Sequence, residues 1–180
     1  MRKLVESTYV SLDGKVSGDS FWAAQFRFHG DEHEAHAAKL LEPADALVLG
    51  KATWEVFADS WPERSGAIAD RLNEMPKYVA SRTLTETRWN SEVLEGDVVE
   101  AVARLKEDGD GTLLKYGTGP VSRALIEGGQ LDELHLWVYP FIAGGGEPLL
   151  PGIATTLLDL AEVTEVGNGV VVLTYRPTSG

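Results

Sequence analysis

Three short stretches carry the residue types that hold anions: Gly50-Lys51-Ala52-Thr53, Ser81-Arg82-Thr83 and Gly117-Thr118-Gly119-Pro120-Val121. Glycines let a phosphate come close to the backbone. The free N–H groups of a helix start point at it, with the positive end of the dipole behind them. Pro120 suits the first position of a helix, where its missing N–H costs nothing and its φ is already helical. Lys51 and Arg82 add two cations, and the hydroxyls of Thr53, Ser81, Thr83 and Thr118 add donors. Brought together, these groups would bind an extended ligand bearing more than one phosphate. The competing reading is three tight turns with solvated loop cations. The dinucleotide fingerprint Gly-x-Gly-x-x-Gly lacks its third glycine here, so the Gly117 turn decides nothing alone.

Other candidate chemistry is thinner. Asp13 lies in Ser11-Leu12-Asp13-Gly14 at a strand–turn junction, a place for a functional carboxylate and equally for a structural Asp-Gly turn. His33-Glu34-Ala35-His36 superficially resembles a zinc-binding helix, but its histidines stand three apart instead of four, with no third ligand indicated. No metal is expected. A solvated helix face or a substrate mouth suits His33 and His36 better, and His135 reads as the solvent-facing partner of Leu134 and Leu136. There is no Gly-x-Ser-x-Gly elbow and no cysteine for nucleophilic catalysis. Of the aromatic residues Trp22, Phe26, Phe28, Trp54 and Phe57, those ahead of the first helix could wall a planar substrate, and the rest read as core.

For the three turns to meet, each must leave the same edge of one sheet. The apolar runs Leu4–Ser11, Ala46–Gly50, Lys77–Ala80 and Thr112–Tyr116 read as strands, the first ending at the Asp13-Gly14 turn and each of the others at one of the three anion-type turns. Helices are expected over Asp31–Leu41, with Asp31 as N-cap and Glu34 completing a capping box, and from Lys51 onward. Further helices follow the spacing of Ile68, Leu72 and Met75, the Asp97–Glu100 capping pair, and Val121, Ala124 and Leu125 ahead of Gly128-Gly129. Gly18–Phe28 reads as an aromatic loop. Strand–helix alternation implies a mainly parallel sheet with helices on both faces, whose ligands bind outside the carboxyl ends of the strands. Glu133–Tyr139 is a later strand, and Leu157–Val166 and Val170–Tyr175 form a hairpin about Gly167-Asn168-Gly169. An antiparallel tail is thus added to a parallel core. Only Thr178-Ser179-Gly180 looks frayed.

Composition bounds the partners. With 180 residues, 43% hydrophobic, the chain can bury one sizeable core, and a single domain over 1–180 is expected. A formal charge of -12 argues against a nucleic-acid or anionic-membrane surface, since those rely on basic patches. No apolar run reaches the roughly 20 residues of a membrane helix, and the N-terminus acquires charge too early for a signal peptide. The expected setting is the cytoplasm, and the expected partner a small molecule.

In their order and spacing, several runs carry a family likeness: Ser11-Leu12-Asp13-Gly14, Leu47-Val48-Leu49-Gly50-Lys51-Ala52-Thr53-Trp54-Glu55 and Lys77-Tyr78-Val79-Ala80-Ser81-Arg82-Thr83-Leu84. Tyr116-Gly117-Thr118-Gly119, Leu131-Asp132-Glu133-Leu134-His135-Leu136, Pro140 and Gly144-Gly145-Gly146 complete the series. The chain resembles the dihydrofolate-reductase-like superfamily, in the branch of the C-terminal reductase domain of the bifunctional riboflavin-biosynthesis protein. The resemblance implies an α/β three-layer sandwich, with a mostly parallel central sheet, antiparallel C-terminal strands and helices on both faces. It also implies an NADPH-dependent reductase of a C=N or C=O bond in a small pterin- or pyrimidine-like heterocycle. The matches place Gly50 to Thr53 along the pyrophosphate and nicotinamide side and Ser81-Arg82-Thr83 at the 2′-phosphate. Gly117-Thr118-Gly119, with Pro120 and Val121 opening the helix behind it, would cradle the pyrophosphate. Asp13 is the candidate for polarising the substrate or nicotinamide region, and Trp22, Phe26, Gly144 and Gly145 for surrounding the substrate. A homodimer is implied, with Trp137 and Tyr139 as possible contacts. Two departures stand out: Lys51 replaces the arginine of most relatives, and the helix Asp31–Leu41 offers no clear match to the acid that dihydrofolate reductases turn on the pterin. These motivate the alternative of an NADP(H)-binding or sensing protein without turnover.

Overall fold

The computed structural model describes residues 1–178; Ser179 and Gly180, the end of the expected frayed tail, lie outside the described residues. Eight strands form one sheet: β1 (Lys3–Ser11), β2 (Ala44–Gly50), β3 (Lys77–Ala80), β4 (Ser91–Val93), β5 (Thr112–Tyr116), β6 (Glu133–Tyr139), β7 (Leu158–Glu165) and β8 (Val171–Pro177). Their spatial order is β4-β3-β2-β5-β1-β6-β8-β7. The pairings from β4 to β6 are parallel, and those of β6 with β8 and β8 with β7 are antiparallel. The helices are α1 (Asp19–Gln25), α2 (Asp31–Leu41), α3 (Lys51–Ser60), α4 (Ala67–Glu74), α5 (Val98–Glu107) and α6 (Pro120–Glu127), with a single 3₁₀ turn at Phe26–Phe28.

The strands at the centre are apolar on both sides because both sides are covered. Val5, Leu47, Leu49, Val79 and Leu114 pack against Leu41, Trp54, Ala58 and Leu72 from α2, α3 and α4. Leu4, Ala46, Val48 and Leu113 point the other way, onto Val102 of α5 and Leu125 of α6. A third cluster, Trp137, Tyr139, Val166, Val170 and Val172, closes the antiparallel end with Tyr9, Phe28 and Ala37. This is the dihydrofolate-reductase-like three-layer sandwich.

Several local expectations are corrected. Gly18–Phe28 is a helix followed by a 3₁₀ turn, because Phe21 and Gln25, four residues apart, both turn inward. Gly30 rather than Asp31 is the N-cap of α2, and Asp31 instead adds an anion to its first turn. Asp97 does cap α5, its carboxylate accepting from Val99 N and Glu100 N. β4, an edge strand of three residues with no apolar run, was not anticipated. Trp137 and Tyr139 are fully buried under α2, so neither can meet a second subunit. His135 is not solvent-facing: its side chain is 14% exposed and its Nε2 lies 3.2 Å from Glu133 Oε2.

Candidate functional site

The three anion-type turns leave adjacent strands in the same direction. Gly50 is in register with Ala80 on β3, and Leu49 with Tyr116 on β5, so the turns after β3, β2 and β5 sit side by side. Glycine lets them interlock. Gly117 has φ +73°, and a β-carbon there would overlap the Thr53 hydroxyl, which seats the first turn of α3 on the turn after β5. A β-carbon on Gly50 would meet Val121 Cγ2 at 3.6 Å, so α6 packs over the end of β2. Gly50 and Gly119 are the N-caps of α3 and α6, and neither helix start receives a side-chain cap. The N–H groups of Thr118 and Gly119 make no backbone hydrogen bond among the described residues, and Thr118 Oγ1 is buried without a partner. Two helix starts thus point unclaimed donors at one place, the arrangement that takes an anion.

The cations flank this point. Lys51 donates from Nζ to Thr83 Oγ1 at 3.2 Å, linking the ends of β2 and β3, and lies 3.7 Å from Glu55 within α3. Ser81 Oγ accepts from Thr83 N at 3.2 Å and Leu84 N at 3.0 Å, shaping the loop that carries Arg82 at its exposed apex. Arg82 makes no ion pair among the described residues. Ala52 and Pro120 are exposed in the first turns of α3 and α6, and Val121 is half-buried beside Gly50.

Beyond β5, the end of β1 carries Asp13. Its Oδ1 accepts from Ser11 Oγ at 2.6 Å and Ala143 N at 2.9 Å, and its Oδ2 from Gly144 N at 2.9 Å. The Ser11 hydroxyl first, then these amides, hold the Asp13 carboxyl down at about 2. Asp13 is therefore a permanent anion that stitches the end of β1 to the loop after β6. Gly146 completes the closure, since a β-carbon there would run into the Ser17 carbonyl. Ser20 Oγ donates to Ala143 O at 3.3 Å, bringing Trp22 of α1 to the same rim as Gly144 and Gly145. Phe26 lies farther along, against His29 at 5.4 Å between ring centroids. Trp22 and Phe26 are 44% and 64% exposed, and exposed Leu12 and Ile142 extend the apolar rim at the neighbouring strand ends.

Two groups of polar residues depart from the sequence reading: His33 is buried and not on a solvated helix face, and a buried ion pair lies within the strands. Behind the rim, His33 Nε2 and the Tyr139 hydroxyl are 2.7 Å apart, and His29 stacks on His33 with centroids 4.1 Å apart. Burial first, then His29 and His36, pushes His33 down to about 4, and burial raises Tyr9 to about 12. All are neutral near pH 7. The available signal was the helical spacing of His33 and His36 opposite the aromatic residues of β6. The second group is Lys115 with Glu6, hidden within apolar strands; a lone lysine between Leu114 and Tyr116 was its signal. Among the described residues, no three His, Cys, Asp or Glu side chains gather to hold a metal ion. No helix among them is long and apolar enough to cross a membrane.

Comparison with known proteins follows the geometry. The chain is 21% identical over 184 residues to the Bacillus subtilis (strain 168) protein YyaP, covering 97% of this chain and 95% of that one. A crystal structure of a Shewanella sp. PV-4 protein assigned to riboflavin biosynthesis superposes with a TM-score of 0.76 at 19% identity, covering 98% of this chain and 99% of that one. The Thermotoga maritima diaminohydroxyphosphoribosylaminopyrimidine deaminase/5-amino-6-(5-phosphoribosylamino)uracil reductase superposes with a TM-score of 0.68 at 15% identity. That match covers 98% of this chain, which spans only 57% of the two-activity protein. The sequence profile of the RibD C-terminal domain matches residues 2–172, and the chain belongs to that family.

Proposed function

We propose that this chain is an NADPH-dependent reductase acting on a C=N or C=O bond of a small pyrimidine- or pterin-like heterocycle. The observation that carries the reading is the pair of uncapped helix starts interlocked at Gly117 and Thr53, with Arg82, which has no ion pair among the described residues, two strands away. These residues fit the cofactor. Gly117, Thr118 and Gly119, with Pro120 and Val121, and Gly50, Lys51, Ala52 and Thr53 opposite them, would hold the pyrophosphate. Ser81, Arg82 and Thr83 would take the 2′-phosphate, because a guanidinium flanked by hydroxyls matches a phosphate dianion. NADPH, when bound, supplies the hydride. Trp22, Phe26, Gly144 and Gly145 would form the apolar rim for a planar ring, on a loop that Asp13 holds in place. The family, and a related reductase whose named substrate is an aminouracil, favour a pyrimidine.

A second reading, an NADP(H)-binding or sensing protein without turnover, is favoured by one observation. Asp13, the only acid expected at the reacting end, is fully ionised and occupied by Ser11, Ala143 and Gly144, which leaves it no proton to give. The expected setting is the cytoplasm and the expected assembly a homodimer. The surface that would suit such a contact is β7, where Leu160 and Val163 are 53% and 58% exposed, in rows with Tyr175 and Leu173 of β8. Titration with NADPH and NADH, followed by tryptophan fluorescence, tests the cofactor reading. NADPH is expected to bind about tenfold or more tightly than NADH, and binding of neither overturns the reading. Oxidation of NADPH with a pyrimidine, pterin and carbonyl panel then separates the reductase from the sensor.

A further inference from the structure

We propose that Lys115 is a positioning residue for the turn Gly117-Thr118-Gly119: from inside the sheet it fixes the Gly117 peptide so that the amides of the turn face outward. The inference rests on the cofactor reading above for its ligand, though not for its geometry.

Lys115 on β5 and Glu6 on β1 stand opposite each other in register, with side chains 2% and 1% exposed. The ammonium has three protons and three acceptors around it. Glu6 Oε2 lies at 3.2 Å, the Gly117 carbonyl oxygen at 2.6 Å and Ser122 Oγ at 2.6 Å. The shorter two contacts go to the turn and to the third residue of α6, so one cation holds the strand side and the helix side of the turn together. Glu6 gains less, since neither of its oxygens makes a hydrogen bond of good geometry. Its part is to compensate the charge.

Stability alone does not account for the pair. Desolvating two charges offsets most of their attraction, and apolar residues of similar volume commonly serve as well in such a place. What an apolar residue could not do is reach the Gly117 carbonyl. In a trans peptide the C=O of one residue and the N–H of the next point in opposite directions. Drawing the Gly117 carbonyl inward therefore sends the Thr118 N–H outward, and that amide is one of the two left without a backbone partner. Because Glu6 neutralises the ammonium, the contribution of Lys115 is geometry rather than field.

The test is the paired variant E6Q/K115M, which removes both charges and leaves no lone buried ion. Val102→Ala, on α5 in the same core but away from the turn, controls for lost stability. Two readouts are taken: backbone 15N order parameters at Thr118, Gly119, Val121 and Ser122, whose amides precede the first helical bond of α6, Arg123 N to Gly119 O, and dissociation constants for NADPH and NADH. In E6Q/K115M the turn should become more mobile than the rest of β5 and α6. Both nucleotides should bind about tenfold more weakly, with their ratio unchanged because Arg82 is untouched. The Val102→Ala protein should show neither effect. Ser122→Ala, which removes one acceptor and no charge, should give a smaller change in the same direction and serves if the paired variant does not fold. Unchanged order parameters at the turn, or nucleotide affinities equal to those of the natural protein, overturn the proposal. If the natural protein binds neither nucleotide, the cofactor reading falls, and the order parameters alone decide for or against Lys115.

Discussion

Thr53 occupies the space that a side chain on Gly117 would need. The contact makes one unit of the turn after β5 and the first turn of α3, so neither helix start can shift without the other.

Gly117→Ala should therefore do more harm than a glycine substitution in an open turn. At φ +73° an L-residue costs roughly 1–2 kcal/mol, and the overlap with Thr53 forces α3 away as well. A fall in unfolding free energy of about 2 kcal/mol or more is expected, together with weakened NADPH binding. Gly119→Ala, with φ +143° and no heavy atom within 4 Å, should suffer only the backbone cost. Chemical denaturation of the two variants compares them directly.

Arg82→Ala should remove the preference for NADPH while leaving NADH affinity where it was. A loss of about tenfold or more for NADPH, equal to about 1.4 kcal/mol, is what one guanidinium–phosphate contact supplies. The NADPH affinity of the natural protein should also fall with added salt more steeply than that of the variant, because Arg82 is exposed. Equal losses for both nucleotides would place the 2′-phosphate elsewhere.

Acid should weaken the fold before the carboxylates titrate. His33 drops from 6.5 to about 4 on folding, so between those values the unfolded chain binds the extra proton. Stability is full above pH 6.5 and is lost as the pH falls towards 4, by at most about 3 kcal/mol from this residue. His29 and His36 are lowered as well, mainly by burial, and act in the same sense; Glu34 opposes the shift at His29, and Glu162 at His36. Asp13 enters only lower, its stabilisation being lost as the pH falls from 3.8 through about 2. Urea melts at pH 7 and 4.5 should show the loss for the natural protein, and a smaller one for His33→Gln.

Asp13→Asn should loosen the loop after β6. The amide keeps one acceptor but presents N–H to the Gly144 amide, which has nothing to gain from it. Faster hydrogen exchange at Ala143 and Gly144, and lower turnover with unchanged NADPH affinity, are expected. Unchanged turnover would remove Asp13 from the reacting end.

L160E/V163E should convert a dimer to a monomer in sedimentation without altering nucleotide binding, since β7 lies at the far edge of the sheet from β3. A natural protein that sediments as a monomer would refute the assembly.

Much of the site was legible because turns announce themselves. Gly50, Ser81 and Gly117 each follow an apolar run, and strand register then sets them side by side. The Asp97 cap was legible for the same reason, as a local pattern with a local cause. What stayed hidden depended on a second layer. Trp137 and Tyr139 alternate with Leu136 and Val138 as if their face were wet, and only the seating of α2 shows that face to be dry, while Leu136 and Val138 are half-buried. Lys115 sits in a strand read as apolar, and its acceptors, Gly117 and Ser122, reach it only when the turn and α6 fold back over the sheet. β4 carries too few residues to show any period, and its place is fixed by pairing with β3.

The consecutive order of β3, β2, β5, β1 and β6 also acts as a ruler. Arg82 follows the first of these strands and Gly144 the loop after the last, four interstrand steps or about 19 Å apart at about 4.8 Å each. Only something stretched out crosswise to the strands can touch both marks at once. A lone mononucleotide would fall short of one end or the other, so the length of the occupant is written into the spacing of the sheet.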